Sequence, residues 1–522
     1  MVGVVSMPEN TLKKWSQSIL PQWKVCFVSA ILIGLLAHLY KITNWLPNWD
    51  SLVFRYDSQN MLAIGRWFLP VVCSFGSFYD LPFLCGITAI IFHALGAVVV
   101  CKIFDVKKNF TAAMIGAVIV SFPTVTSVMM YNYVADGYSI AFFMSALAAY
   151  CMTREKPKYI CAALLLALSM GIYQAYITVS VMLLLMYLID RLMSGETEWK
   201  PILKKSVHML CTGILGGILY FAVLKLLLAV FSTELLDYQG VNAAASLSGF
   251  DIAASLYVMK ETFLTVFFDF SGGIRVYPAL NVIILVLTVA LYIRRIVHNQ
   301  LYKKPASLLM TVFFAVMLIP GACILAFINA SVDYHNLMRM GYVIFYLMFL
   351  ILYERNEGMP EKRASVKCWA LLLIAAVLTV NQIVIANVSY HTAQMAYEKS
   401  YGVLMRIADR IEQTPEAENC DKLLVIGALA DSEAYSVVLP PDITGITDGY
   451  ILRADDEMVG QSVLRSALND YCGKNYTFIR GEEKKTLLER ADVQAMGTWP
   501  RAGCIVVSGD TVILKLGEEG VK

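Results

Sequence analysis

Eleven apolar runs punctuate the chain, at about 25 to 40, 82 to 104, 110 to 122, 138 to 152, 159 to 172, 174 to 190, 206 to 231, 278 to 293, 306 to 328, 340 to 353 and 368 to 388. Each is long enough, or nearly so, to cross a bilayer as a helix. The stretch from 159 to 190 would exceed one tilted span as a single helix, so the pattern divides at Gly171, Ile172, Tyr173 and Gln174. Between the runs, basic residues recur in every second loop: Lys102, Lys107 and Lys108; Arg154, Lys156 and Lys158; Arg191, Lys200, Lys204 and Lys205; Arg294, Arg295, Lys303 and Lys304; Arg355, Lys362, Arg363 and Lys367. The positive-inside rule makes those loops cytoplasmic. An odd number of crossings then predicts a cytoplasmic N-terminus and an external C-terminus.

From about residue 389 the apolar runs give way to mixed polar patterning. A helical stretch passes through Met405 and Ile411, KLLVIGAL at 422 to 429 reads as a strand, and CIVVSGDTVILKL at 504 to 516 reads as two strands joined at Ser508-Gly509-Asp510. The expected fold is therefore an α-helical polytopic membrane protein of about eleven transmembrane helices, occupying 1–388, with an extracytoplasmic α/β domain over 389–522. No internal repeat and no low-complexity tract interrupts this organisation.

Composition agrees: 58% of the 522 residues are hydrophobic and 16% charged, against roughly 25% charged in soluble domains. A soluble fold is excluded, and a net charge of +2 without basic and aromatic interleaving gives no nucleic-acid footprint. The 12 cysteines are scattered singly, without a CxxC pair, and read as small hydrophobes rather than a metal cluster. Cys420, Cys472 and Cys504 lie in the polar C-terminal region, where spacing leaves one disulfide open. Lys13, Lys14 and Lys24 precede the first apolar run with no small-residue cleavage site after it, so a retained first helix is expected.

The polar residues that stand out are on the predicted outer side. Arg55 and Arg66 lie in the first outer loop, Lys260 and Arg275 after the seventh run, and Arg339 in DYHNLMRMGY. Basic residues are depleted there by default, and a lipid phosphate is one partner that would retain them; lipid headgroups or local carboxylates are the other. The first outer loop also contains Asp50, Asp57, Trp45, Trp49 and Trp67. The tryptophans fit an interfacial belt, and on an interfacial helix Asp50 and Asp57 would share a face near Arg55. A carboxylate there can act as general base toward a sugar hydroxyl, and an arginine can stabilise a leaving phosphate; an ordinary amphipathic surface helix has the same pattern. YNYVADGY at 131 to 138 offers Tyr133 and Asp136, or a helix N-cap before the fourth run. Tyr173 and Gln174 sit at an outward break between two short helices, where they can face sugar hydroxyls or pack a helix end. Lys225 lies within the seventh run, where snorkelling outward or a phosphate contact is open to it.

Together these segments resemble the bacterial Gtr-type (type II) membrane glucosyltransferases of the GT-C superfamily. The resemblance rests on the acidic first outer loop closing on Gly65-Arg66-Trp67, the Tyr133 to Asp136 segment, LSMGIYQAYI at 168 to 177, and the terminal WPRAGCIVVSGDTVILKL. It implies transfer of a sugar, commonly glucose, from a polyprenyl-phosphate carrier to a cell-surface glycan outside a bacterial plasma membrane, with an aspartate of the first outer loop as base. Catalysis is thus expected from Asp50 or Asp57, and substrate binding from Arg55, Arg66, Trp67, Tyr133, Asp136, Tyr173, Gln174, Lys260, Arg275 and Arg339. Related enzymes often carry two adjacent acidic residues in this loop, whereas here the two are separated; Asp50 is placed first because it follows the first helix most closely. No resident cofactor is assigned, although some relatives in the wider superfamily use a divalent cation. The residues agree with a lipid-linked donor, since no dinucleotide-binding pattern is present. A transporter or flippase of lipid-linked sugars predicts mid-depth charges, which are few. A non-enzymatic envelope assembly protein predicts tolerance of substitutions at Asp50 and Asp57.

Overall fold

The computed structural model describes residues 8–53, 61–76, 78–194, 198–236, 251–269, 276–328, 330, 334–355, 361–429, 443–446 and 460–518. Helix α1 (Pro8–Ser18) leads into the first apolar helix, α2 (Pro21–Thr43), and the following loop carries two short helices, α3 (Trp49–Val53) and α4 (Leu69–Cys73). The bundle continues with α5 (Pro82–Ile103), α6 (Asn109–Ser121), α7 (Pro123–Met130), α8 (Asn132–Thr153), α9 (Tyr159–Ile172), α10 (Ile177–Met193) and α11 (Trp199–Val230). After it come α12 (Ile252–Phe268), α13 (Val276–His298), α14 (Pro305–Val316), α15 (Val343–Glu354) and α16 (Glu361–Glu412).

Among the described residues, eight helices are long and apolar enough to cross a membrane, or nine when the bent pair α6 and α7 counts as one path. All eleven apolar runs are helical; the two that fall short in length are the helical stretches Tyr159–Ile172 and Met340–Glu354. The 43° bend between α6 and α7 lies at Phe122-Pro123, where proline lacks an N–H and holds the preceding residue out of the helical region. The expected division at 171 to 174 is present: α9 ends at Ile172 and Tyr173 is extended, with φ −156°.

Three elements differ from the sequence pattern. Helix α12 occupies what reads as loop, started by Asp251, whose side chain accepts from the Ala254 N–H at 3.0 Å; Lys260 and Glu261 in its middle mask it in a hydropathy profile. Helix α8 starts at Asn132, so Asp136 is inside the helix rather than at its cap. Helix α16 runs 52 residues through the composition change near 389 without a break.

Packing uses small residues and short hydroxyl bonds, as expected where lipid supplies no hydrophobic drive between helices. A Cβ on Gly116 would lie 2.5 Å from the Cys26 carbonyl oxygen, so α2 and α6 meet at backbone contact. Ser145 Oγ donates to the Tyr176 carbonyl at 2.6 Å and Ser169 Oγ to the Ala141 carbonyl at 2.8 Å, joining α8, α9 and the α10 entry.

Loop contacts sort into two faces. On one, the basic loops meet: Arg295 and Arg355 bridge to Asp190, and the Lys107 and Lys108 amides donate to Glu354. On the other lies a four-stranded sheet of β1 (Lys422–Ile426), β2 (Thr477–Phe478), β3 (Ile505–Ser508) and β4 (Thr511–Lys515), in the order β2-β1-β4-β3. Strand β1 is parallel to both neighbours, and β3 and β4 form the expected hairpin about Gly509 and Asp510. The core of the sheet includes Leu423, Val425, Val512 and Leu514, helix α17 (Gly460–Cys472) through Leu464, and Val403, Leu404 and Ile407 of α16. Cys420, Cys472 and Cys504 are free thiols.

Candidate active site

The loop between α2 and α5 is held from both sides. Lys41 Nζ donates to the Leu46 carbonyl at 3.0 Å, and the Asn48 side chain accepts from the Ser51 N–H at 2.9 Å, which starts α3. Leu52 of α3 is 2% exposed and belongs to the apolar core of the sheet. Trp45 adds edge contacts to Tyr397 of α16 and Tyr471 of α17, with ring centroids 6.2 and 6.5 Å apart. The sheet region thereby grips the helix that carries Asp50. Asp50 itself faces Tyr133 of α8 and Arg66. Burial pushes its carboxyl above the usual carboxylate range, against the opposing pull of the Arg66 guanidinium and the Tyr133 hydrogen bond.

Arg66 is aimed by the residue before it. Gly65 adopts φ +82°, and a Cβ there would lie 2.4 Å from the Tyr220 hydroxyl and 2.7 Å from Gln174 Nε2, so the turn admits only glycine. Gln174 Nε2 donates to the Ile64 carbonyl and to the Tyr220 hydroxyl, both at 3.0 Å, and Tyr220 donates to the Gly65 carbonyl at 3.0 Å. From this clamp Arg66 reaches the Tyr138 hydroxyl at 2.8 Å and lies 4.6 Å over the Tyr173 ring. Tyr173 in turn stacks on Tyr138, with centroids 4.6 Å apart and planes 11° from parallel. Trp67 covers Gly171, where a Cβ would lie 2.7 Å from the indole, and the Phe68 N–H donates to the Gly171 carbonyl at 2.7 Å. The Trp67 indole N–H is buried without a hydrogen-bond partner among the described residues.

The structure therefore brings together Asp50, Arg66, Trp67, Tyr133, Tyr173 and Gln174. Asp136, one turn along α8 from Tyr133, is 5% exposed and closed in by protein: its carboxylate accepts from the Gly137 N–H at 2.8 Å and lies 3.8 Å from Cys73 Sγ. Arg339 is 8% exposed, donates to the Tyr334 carbonyl at 3.0 Å, and edges a separate cleft with Asp269, Asn281 and Asn336. Lys260 pairs with Glu261 at 3.2 Å and lies over Tyr257, contacts local to α12. Lys225 is exposed on α11. Arg55, Asp57 and Arg275 lie outside the described residues.

One carboxylate escaped the sequence reading. Asp80 is 9% exposed and accepts from Trp45 Nε1 at 2.9 Å and from Asn132 Nδ2 at 2.6 Å, with the Lys41 charge nearby. Its place directly before α5, in YDLP, reads as a helix start, and nothing in the sequence links it to Trp45 or Asn132.

Among the described residues no three His, Cys, Asp or Glu side chains come close enough to hold a metal ion. Asp50 is faced by a cation and a phenol, a set unlike the oxygen cages that hard divalent cations take. The chemistry this arrangement can perform is proton abstraction by a half-buried carboxylate beside a positioned guanidinium.

A family model described as glucosyl transferase GtrII matches residues 39–352, which covers both the Asp50 loop and the Tyr138 and Tyr173 segments. No curated protein and no solved structure matches the chain.

Proposed function

The chain belongs to the glucosyl transferase GtrII family and is a membrane glycosyltransferase; from that premise we propose that it moves a sugar, glucose first among the candidates, from a polyprenyl-phosphate carrier to a glycan on the outer face of a bacterial plasma membrane. The observation that supports this reading best is the convergence of Asp50, Tyr133 and Arg66 at the loop after the first apolar helix. Asp50 takes the proton of the acceptor hydroxyl as its oxygen attacks the anomeric carbon. The bond from that carbon to the carrier phosphate breaks, and the phosphate leaves with its charge balanced by Arg66. Trp67 offers an aromatic surface to the sugar, Tyr173 backs the Arg66 guanidinium, and Gln174 and Asp136 hold backbone in place.

The basic loops face the cytoplasm on this reading. The eleven apolar helical runs then put the N-terminus inside and the sheet domain, 389–522, outside. A lipid-linked donor enters a site at the membrane edge without any nucleotide fold. The decisive measurement adds polyprenyl-phosphate-glucose to purified protein in accessible membranes and follows sugar release. Transfer by wild type and its loss in Asp50→Asn and Arg66→Ala is the expected result. Undiminished transfer by Asp50→Asn sinks the assignment of the base, and a cytoplasmic signal from a reporter after Lys522 sinks the topology.

A further inference from the structure

On the face opposite the sheet, the ends of α5, α10, α13 and α15 enclose a cleft of about 510 Å³, within the roughly 300–1,000 Å³ of small-molecule sites. Its charged lining is Lys107, Arg191, Arg294, Arg295 and Arg355, with His298, against the two carboxylates of Asp105 and Asp190. Five fixed cations against two carboxylates leave a net +3. Ser194 and Asn299 add neutral hydrogen-bonding groups, and Leu291 and Leu352 are its apolar members.

Cations are expected in these loops, but charge bias alone predicts side chains spread into solvent, not convergence on one concave surface. The convergence is built. Asp190, on α10, is 8% exposed and holds Arg295 of α13 at 2.8 Å and Arg355 beyond α15 at 3.3 Å. Arg355 also donates to the Phe104 carbonyl at the end of α5. One buried carboxylate thus pins two guanidinium groups, and with them three helix ends, around a polar hollow. The surplus charge of the hollow calls for an anion with several acceptor oxygens, and guanidinium groups favour phosphate geometry.

We propose that this cleft is a binding site for a phosphate group, presented by an anionic phospholipid headgroup of the facing leaflet or by a soluble phosphate. Basic hollows between transmembrane helices at this depth are suited to phospholipid headgroups. The proposal is independent of the donor, the base and the sugar.

The full-length protein, purified with lipid, tests it. Vesicles of phosphatidylglycerol in phosphatidylcholine measure headgroup retention, and inorganic pyrophosphate titrated into detergent-solubilised protein, read as a shift in thermal unfolding, measures the soluble source. Arg191→Ala with Arg294→Ala removes two lining charges while leaving the Asp190 pairs in place. Lys303→Ala with Lys304→Ala removes the same charge from the same face outside the cleft. Loss of phosphatidylglycerol retention by about 30-fold in the first variant, with the second close to wild type, assigns a headgroup. A pyrophosphate shift abolished in the first variant alone, without lipid selectivity, assigns a soluble phosphate. Equal losses in both variants, or equal retention of phosphatidylcholine and phosphatidylglycerol with no pyrophosphate shift, overturns the site.

Discussion

Asp50 and Asp80 lie in the same loop, the first half-buried and the second buried, and their surroundings differ in kind. Both oxygens of Asp80 are engaged by neutral donors, Trp45 and Asn132, which tie the two ends of the loop to the start of α8. Asp50 faces a guanidinium and a phenol, on a helix gripped through Leu52 by the sheet core. Asp80 also has a cation nearby, Lys41, but fixed neutral donors hold both of its oxygens, as in a fastener; Asp50, whose carboxyl burial pushes upward against Arg66, is equipped to exchange a proton. Residue type and loop membership are the same, so the partners alone separate the roles.

The contrast breaks first at the level of rate. Asp50→Asn is expected to lower sugar transfer by about 10²–10⁴-fold with unfolding temperature unchanged, while Asp80→Asn leaves transfer per folded molecule intact; equal losses in the two variants would mean that both carboxylates act alike. Next, Arg66→Lys keeps the charge but gives up the planar fork that spans Tyr138 and Tyr173, and is expected to cost about 10–100-fold in kcat. Steady-state kinetics with a fixed donor reads this, and an unchanged kcat removes Arg66 from the reaction. Third, Asp80→Asn puts an amide donor against one of two existing donors and is expected to lower stability by about 1–3 kcal/mol, read as thermal unfolding in detergent; an unaltered melt denies it the fastening role.

The smallest effect is a shift in pH dependence. Burial raises the Asp50 pKa and Arg66 lowers it. The base works ionised, so transfer falls as pH drops through that pKa, and the acid limb of kcat/KM is expected above the usual carboxylate value of about 3.9. Arg66→Gln removes the lowering influence and moves the limb further up. A limb that stays put or moves down separates the pH dependence from Asp50.

The helices and the hairpin were legible because both follow from local patterning: apolar runs of sufficient length, a break forced at Tyr173, and strand pairs around Gly509. Asp50 is legible as a carboxylate of the first outer loop, but its neighbour Tyr133 is set by how α8 packs, which no local pattern records. Asp80 was missed because its ligands come from positions 45 and 132. The 389 boundary rested on composition, and α16 passes through it because residues such as Ala393, Met395, Glu398 and Leu404 favour helix as well in water as in lipid. The basic cleft was invisible for a different reason: the positive-inside pattern accounts for each cation separately and cannot say that Asp190 draws them together.

Helix α16 also works as a gauge. Its 52 residues measure about 78 Å at 1.5 Å per residue, against a hydrocarbon core of about 30 Å. Adding or deleting one residue beyond the bilayer would rotate the sheet about 100° around the helix axis. Leu52 would then leave its seat in the sheet core, and Asp50 would turn with it. Even a whole-turn step, which restores the phase, would shift the sheet by about 5.4 Å along the axis, so the length of this rod together with its phase keeps the loop aligned with Arg66.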